Sequence, residues 1–221
     1  CHHPPGHWIP LEELKDNYTA IHNTKHKKLM RKYMQEGKRP AECEYCWKVE
    51  DMGKGHVSDR TFKTEIFKDE DIHKSAEMPW DENVMLRTLE ISFDRACNFS
   101  CSYCNPAFST AWVKDINTYG GYENIQSDGR GHFVDTAEWA KPAAKHEEDN
   151  PYIQAFHKWW ENGLADNLEE IRITGGEPIM HKGTWKMFDW FEQNPERGRN
   201  MRFAINSNLS PEKPKVLDKL I

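Results

Sequence analysis

Three stretches of the chain alternate apolar and polar residues with the period of a β-strand. They run from Leu86 to Phe93, from Leu168 to Thr174 and from Met201 to Asn206. Such alternation, with β-branched residues among the apolar positions, is typical of strands that pack on one face. The sequence therefore predicts three strands separated by long connecting segments.

Apolar residues at helical spacing lie before and between these strands. The predicted helices are Thr24–Glu36, a helix that begins near Ser109 and continues through Asp115, Pro151–Trp160, His181–Gln193, and a last pattern from Pro211 to Ile221. Asn23 or Thr24 is a suitable N-cap for the first helix, and Gly37 is a suitable terminator. Strands that alternate with helices indicate an α/β fold.

These patterns divide the chain at about Trp80. Residues 1–80 are expected to form a small, mainly helical module, and residues 81–221 the α/β part, with a long insertion at 119–163. A connection of that length is unusual in a compact domain unless it is functional. Its Gly-rich stretch at 119–131 is a candidate substrate lid. Four aromatic residues of the insertion fall at helical spacing and are expected in the core: Tyr152, Phe156, Trp159 and Trp160.

Charge and hydropathy exclude some classes of protein. The chain has 30 basic and 36 acidic residues, a net charge of -6, which makes a nucleic-acid partner unlikely on electrostatic grounds. The basic stretch His22–Arg39 is more typical of a solvated helix face than of a patch for an acidic peptide or nucleic acid. The sequence contains no secretory signal and no apolar stretch of membrane-spanning length. We expect a cytoplasmic protein with no membrane partner, and a fragment, since the chain starts at Cys1 without a methionine.

Three cysteines, Cys97, Cys101 and Cys104, follow the first predicted strand with the spacing C-x3-C-x2-C. Iron–sulfur cubanes are normally held by four thiolates, so a three-cysteine loop leaves one iron open for another ligand. A structural zinc site of three cysteines and one of the eleven histidines is the alternative. Zinc modules typically separate cysteine pairs by a longer stretch, so the triplet favours an iron–sulfur cluster.

A second motif, Gly175-Gly176-Glu177-Pro178, follows the second predicted strand. The glycines permit close approach of other atoms to the backbone, and Glu177 offers an acceptor to a cation. Alone, the motif is more typical of a plain turn. Asp94 and Arg95, just before Cys97, are expected to buttress the cysteine loop without a catalytic role.

The two motifs, in this order and each at the end of a predicted strand, resemble the radical S-adenosylmethionine (SAM) superfamily. The resemblance implies a partial TIM-like (β/α)6 barrel, of which this chain would contain about three βα units. It also implies that Cys97, Cys101 and Cys104 bind a [4Fe-4S] cluster whose fourth iron binds SAM. Barrel active sites collect at the carboxyl ends of the strands, which is where both motifs lie.

The same resemblance assigns roles to residues around the cysteines. Tyr103 stands where the family has an aromatic residue, the glycine-glutamate turn would meet the SAM amino group, and polar residues after the third strand would face SAM or substrate. The SAM-binding candidates are Tyr103, Gly175, Gly176, Glu177, Pro178, Asn206 and Asn208. For the two asparagines a role as turn residues is an equal alternative.

The other cysteines belong to the N-terminal module. Cys43 and Cys46 form a C-x2-C knuckle after the segment Gly37–Pro40, and Glu50-Asp51 follows it. This arrangement resembles the N-terminal module of twitch domain-containing radical SAM proteins. It implies an auxiliary iron–sulfur cluster on Cys1, Cys43 and Cys46. A fourth ligand from His2, His3 or His7, an absent cysteine or substrate, a zinc ion, and unliganded thiols all stay open.

We therefore expect a radical SAM enzyme that acts on an unknown small molecule or peptide and takes electrons from a donor such as flavodoxin or ferredoxin. A zinc-binding structural or interaction protein and a glycyl-radical-type activating enzyme are the alternatives. The remaining histidines are expected at the surface or as satisfied core residues, although the position of His181 would let it reach the cavity. Those considered are His132, His146, His157 and His181.

Overall fold

The computed structural model describes residues 9–65, 67–125, 132–211 and 214–219. Cys1 and the histidines at positions 2, 3 and 7, and with them part of the predicted auxiliary ligand set, lie outside the described residues, as does the whole stretch 127–131 of the candidate lid. The chain divides into two compact units, 1–84 and 85–221.

The described part of the 1–84 unit is helical. Its helices are α1 Leu11–Asp16, α2 Lys25–Gln35, α3 Glu44–Asp51, α4 Asp59–Phe62 and α5 Asp69–Glu77, with 3-10 turns at Tyr18–Ile21 and Ala41–Cys43. The first predicted helix is confirmed as α2. The hydroxyl of Thr24 caps it by accepting from the backbone N–H of Lys27 at 3.0 Å, and Gly37 follows with a φ of 72°. Only glycine adopts that left-handed conformation without steric cost, so the helix ends there.

A stack of side chains organises the middle of this unit. The guanidinium groups of Arg39 and Arg60 lie over the Trp47 ring at 5.3 and 4.0 Å from its centroid. Each arginine also binds a carboxylate of α3: Arg39 binds Asp51 and Arg60 binds Glu50. The Glu50-Asp51 pair therefore contributes ion pairs to the packing of this helix.

The 85–221 unit is built on a parallel sheet. Its strands are β1 Thr88–Ser92, β2 Glu170–Thr174 and β3 Arg202–Ile205, in the order β1-β2-β3. The α-helices are α6 Thr110–Tyr119, α7 Pro151–Trp159, α8 Ala165–Asn167, α9 Lys182–Gln193 and α10 Pro195–Gly198. This mixture of helices with a small parallel sheet confirms the α/β expectation for this part of the chain.

The sheet has one apolar and one polar face. Ile171 and Ile173 of β2 are completely buried, and the rings of Phe188 and Phe191 of α9 lie 5.2 Å from that of Phe203. Burial of such side chains contributes roughly 1.5–3 kcal/mol each. The alternate positions are more exposed, and there the Thr174 hydroxyl donates to the carboxylate of Glu90 at 3.4 Å. Parallel sheets are usually covered on both faces, so a polar face is unusual.

The insertion supplies much of the core. Phe156, Trp159 and Trp160 are 4%, 1% and 2% exposed, which confirms the predicted aromatic stripe for these three residues. The fourth, Tyr152, is only half-buried, because it lies in the first turn of α7. The helix continues from α7 into a π-type turn, Trp160–Leu164, with a kink at Asn162 and at Gly163, whose φ is 108°. Short 3-10 turns at Glu138–Ala140 and Glu147–Asp149 precede α7.

Some predicted boundaries differ from those observed. The first and third strands are one to two residues shorter at each end than the apolar patterns, because the last residues of a pattern need not pair. The last helical pattern contains a 3-10 helix, Pro214–Lys219, in its described residues. Proline lacks a backbone N–H, which limits regular helix there. No helix among the described residues is long and apolar enough to cross a membrane.

Candidate active site

The cysteine loop connects β1 to α6. Cys97, Cys101 and Cys104 are each half-buried. The hydroxyl of Thr110, in the first turn of α6, accepts from the Cys97 N–H at 3.0 Å and donates to the Cys97 carbonyl at 3.1 Å. The Trp112 indole N–H donates to the Cys101 carbonyl at 2.9 Å. The helix thus holds the loop by its backbone atoms and not by the sulfur atoms, whose hydrogen bonds are local: Cys97 Sγ accepts from the Phe99 N–H at 3.5 Å, and Cys104 Sγ donates to the Asn105 carbonyl at 3.7 Å.

The thiols of this loop interact with one another electrostatically. Burial raises the pKa of Cys104, and negative charge on Cys97 and Cys101 raises it further. The exposed Tyr103 has a raised pKa because its hydroxyl forms a hydrogen bond with Cys101 and lies near the other sulfurs. Iron–sulfur clusters are held by cysteine thiolates, so the residue types of this loop suit such a cluster. The side chains are not arranged as a closed ligand set, because among the described residues no group of three or more Cys, His, Asp or Glu side chains is arranged to hold a metal ion.

Arg95 ties the loop to the insertion. It is 7% exposed, and its Nη1 donates to the carbonyls of Pro106, Thr136 and Ala137 at 2.9, 3.1 and 2.9 Å. Its own carbonyl accepts from the N–H of Thr110 at 3.0 Å. The expected buttressing role of Arg95 is therefore confirmed by contacts at both ends of the loop.

The glycine-glutamate turn lies directly against the segment that enters the cysteine loop. The N–H of Gly176 donates to the Asp94 carbonyl at 3.1 Å, and the N–H of Glu177 donates to the Ala96 carbonyl at 2.7 Å. A Cβ on Gly175 would lie 2.7 Å from the Asp94 carbonyl oxygen, and one on Gly176 would overlap the Ala96 carbonyl. Close backbone packing between the two motifs accounts for both glycines.

The side chain of Glu177 points into the protein. It is 1% exposed. Its Oε1 accepts from the Ser207 hydroxyl at 2.6 Å and the Ile179 N–H at 3.2 Å, and its Oε2 accepts from the Asn208 N–H at 2.7 Å. The carboxylate is thus satisfied by protein donors, whereas the sequence suggested a contact with the SAM amino group.

The two candidate asparagines after β3 differ in their surroundings. The side-chain amide of Asn208 donates to Oδ1 of Asn98, in the cysteine loop, at 3.0 Å, and Asn98 donates to the Ser210 carbonyl at 2.6 Å. Asn206 is exposed, and its N–H donates to the Ile173 carbonyl at 3.0 Å. The structure therefore brings Asn208 to the cysteine loop, and leaves the Asn206 side chain at the surface.

Sequence reasoning missed Asn98, Ser207 and Ser210. No local signal identifies them, because their function as hydrogen-bond partners comes from contacts between segments far apart in the chain. Pro178, the last residue of the turn motif, is buried and begins the 3-10 turn Pro178–Met180.

In the 1–84 unit, Cys43 is buried and Cys46 is half-buried. Burial raises the pKa of Cys43, and the neighbouring Cys46 raises it further. The two described cysteines of the predicted auxiliary site are therefore close enough to interact, as the C-x2-C spacing indicates.

Two histidines differ from the expectation of surface or satisfied positions. His181, the N-cap of α9, is 2% exposed, and its Nε2 has no hydrogen-bond partner among the described residues; the same holds for Nε2 of His157. Burial lowers the pKa of both rings. For His181 the nearby carboxylates of Asp94, Glu147 and Glu177 act in the opposite direction.

A cleft of about 590 Å³ lies on the helical side of the unit. Residues of α7, of the turns that flank it and of α9 line this cleft, among them Glu147, His157, Trp160, Lys186 and Trp190. It includes none of the predicted site residues, so it is separate from the cysteine loop.

Two curated proteins are similar to part of this chain. They are the GTP 3',8-cyclases of Stenotrophomonas maltophilia strains K279a and R551-3, each 31% identical over 94 residues. The matched residues make up 42% of this chain and 19% of each relative, so the chain spans about a fifth of the length of the curated relatives it matches. No family model matches the chain. No solved structure matches it either.

Proposed function

We propose that this chain is part of a radical SAM enzyme. The observation that carries the proposal is the direct backbone contact between the cysteine loop and the glycine-glutamate turn, at the carboxyl ends of two adjacent parallel strands. Open α/β sheets and barrels collect their active sites at that end. The similarity to two GTP 3',8-cyclases, which are radical SAM enzymes, supports the same chemistry.

In this proposal Cys97, Cys101 and Cys104 would hold a [4Fe-4S] cluster. When bound, the cluster would supply an electron for the reductive cleavage of SAM, and the chain would position SAM and exclude water. Tyr103, which is 90% exposed, would flank the bound SAM. Gly175 and Gly176 have no Cβ, so SAM could lie directly against the backbone of the turn. The exposed Asn206 would face SAM or the substrate.

The sheet would form half of a (β/α)6 barrel, with its polar face turned toward the substrate. Glu90 of β1 and Arg172 of β2 are register partners on the same face of the sheet, and would offer a charged surface for a small molecule or peptide. GTP is the first small molecule to test, because the relatives are named for it. An electron donor such as flavodoxin or ferredoxin, and a reducing, cytoplasmic location, complete the proposal.

The N-terminal module would be a twitch-type module with an auxiliary iron–sulfur cluster on Cys1, Cys43 and Cys46. The proximity of the last two cysteines supports it. If it is right, a Cys43→Ser, Cys46→Ser double variant loses iron but keeps the cluster of the 97–104 loop, as measured by metal analysis. Loss of stoichiometric zinc instead would favour the zinc-binding alternative, and unchanged metal content would reject the site.

The test of the main proposal is anaerobic reconstitution of the chain with iron and sulfide, followed by dithionite and SAM. We expect 5'-deoxyadenosine in the wild type and none in Cys101→Ala, since two thiolates are too few to retain the cluster. Ser102→Ala is the matched control, because it changes an exposed side chain of the same loop and leaves all three of its thiols in place. A full cluster in the wild type without SAM cleavage would contradict the proposal. A glycyl radical on an added partner, detected by electron paramagnetic resonance, would identify the activating-enzyme alternative.

A further inference from the structure

A short loop after β3 contacts both functional motifs. We define this loop as residues 206–210, the β3 exit loop. Its Ser207 and Asn208 donate to the carboxylate of Glu177, and the Asn208 amide and the Ser210 carbonyl contact Asn98 within the cysteine triplet. The exit loop therefore connects the glycine-glutamate turn to the cysteine loop by a continuous chain of hydrogen bonds.

The exit loop is itself held in one conformation. The Leu209 N–H donates to the Ser207 hydroxyl at 2.9 Å, and the Ser210 N–H donates to Oδ1 of Asn208 at 2.8 Å. Leu209 has a φ of 53°, in the left-handed region that is costly for a residue with a Cβ. Strained backbone persists only where surrounding contacts determine it. The contacts that determine the conformation of Leu209 are the hydrogen bonds of its neighbours: Ser207 and Asn208 bind Glu177, and Asn208 and Ser210 bind Asn98.

The carboxylate of Glu177 stands at the centre of this network. A buried charge is tolerated only when hydrogen bonds replace its lost hydration, and three protein donors do so here. Bonds to an ionised group are about twice as strong as neutral ones. The side chain is thus committed to the turn and the exit loop, and little of it remains accessible to a ligand.

We propose that Glu177 is a positioning residue, which fixes the cysteine loop through Asn208 and Asn98 and does not bind the amino group of SAM with its carboxylate. The statement about SAM rests on the proposed function. The hydrogen-bonded connection from Glu177 to the cysteine loop does not depend on it. Loosening of the network at Glu177 or at Asn208 should therefore free the cysteine loop even when no metal or SAM is bound.

Hydrogen exchange on the metal-free chain tests this mechanical connection. The N–H groups of Cys97 and Cys104 are bonded in the loop, to Thr110 and to the Cys101 carbonyl. In Glu177→Gln, an NH2 group replaces one of the two carboxylate oxygens. That NH2 group is a donor, and it would face the protein groups that donate to Glu177 in the wild type. We expect amides of the 97–104 segment to exchange about tenfold faster or more, and those of α7 to stay unchanged. Glu192→Gln, an exposed change of the same type on α9, is the matched control.

A second variant keeps the inference testable if Glu177→Gln does not fold. Asn208→Ala preserves the backbone N–H that binds Glu177 and removes the side-chain amide, which donates to Asn98 and accepts from the Ser210 N–H. We expect the same local acceleration, and no larger effect in the double variant, because both changes interrupt one path. Unchanged exchange in the 97–104 segment of Asn208→Ala, or equal acceleration throughout the unit, would overturn the proposal.

A measurement on the reconstituted protein separates positioning from direct binding. Positioning predicts that Glu177→Gln and Asn208→Ala both raise the KM for SAM. Direct binding predicts a raised KM in Glu177→Gln alone, with normal exchange in the metal-free loop, and that result would also overturn the proposal. If the wild type never cleaves SAM, the proposed function fails, and the exchange experiment still decides the role of Glu177.

Discussion

At the scale of single residues, paired charges fix the geometry of the N-terminal unit. The guanidinium of Arg60 donates to both oxygens of Glu50 at 2.9 and 2.6 Å, and the Ser58 hydroxyl donates to the same carboxylate at 2.6 Å. These hydrogen bonds, first those from Arg60 and then that from Ser58, lower the pKa of Glu50 to about 2. The pair also orients Arg60 over the Trp47 ring.

This pKa predicts a dependence of stability on pH. A carboxyl group whose pKa is lower in the folded than in the unfolded state stabilises the fold above the unfolded pKa, and this contribution is lost as the pH falls toward the folded pKa. The thermal midpoint of the wild type should therefore fall between pH 4.5 and about pH 2 more steeply than that of Glu50→Gln. Glu77→Gln, at the exposed end of α5, should keep the wild-type slope. Equal slopes for the wild type and Glu50→Gln would contradict the prediction.

At the scale of elements, the sequence predicted the strands and the main helices because their apolar periodicity is local. The core stripe of α7 and the cap of α2 follow from spacing and from single residues such as Thr24. The role of Glu177 could not be predicted in the same way. Its motif indicates a turn, but the direction of its side chain depends on Ser207 and Asn208, thirty residues away in the chain.

The contact between the turn and the cysteine loop predicts a steric effect. In Gly176→Ala the new methyl group would overlap the Ala96 carbonyl, and only backbone movement could relieve it. We expect a loss of about 2–3 kcal/mol in the free energy of unfolding, measured with urea. Gly37→Ala meets no neighbour and has only the strain of a left-handed φ of 72°, so it should cost about 1 kcal/mol. A smaller loss for Gly176→Ala than for Gly37→Ala would argue against the packing described.

At the scale of the whole 85–221 unit, a few polar side chains join segments that the sequence separates widely. Arg95 joins the two ends of the cysteine loop to the insertion, and the β3 exit loop joins the cysteine loop to the glycine-glutamate turn. The sequence identified the cysteines and the turn, since both are compact motifs. It also singled out Arg95 and Asn208, but not the partners that they join, because Thr136, Ala137 and Asn98 stand in no distinctive pattern.

Removal of the hydrogen bonds of Arg95 should lower the local stability of the insertion. Arg95→Met keeps much of the side-chain volume but leaves the carbonyls of Pro106, Thr136 and Ala137 without this donor. The two N–H groups of Nη1 serve these three carbonyls, and a hydrogen bond to a charged donor is worth about 1.5–3 kcal/mol, so we expect faster limited proteolysis within residues 132–150. Arg199→Met removes an exposed arginine that pairs with Glu196 and should leave the cleavage rate unchanged. Equal rates in the wild type and Arg95→Met would contradict this role.

The joint nearest the cysteines consists of two carboxamides, those of Asn98 and Asn208. Amide groups carry no net charge, so this link constrains the loop without placing an anion beside the three cysteine sulfur atoms. Exchange of either asparagine for aspartate would keep much of the shape of the link but add a negative charge, which disfavours the thiolate form of nearby cysteines.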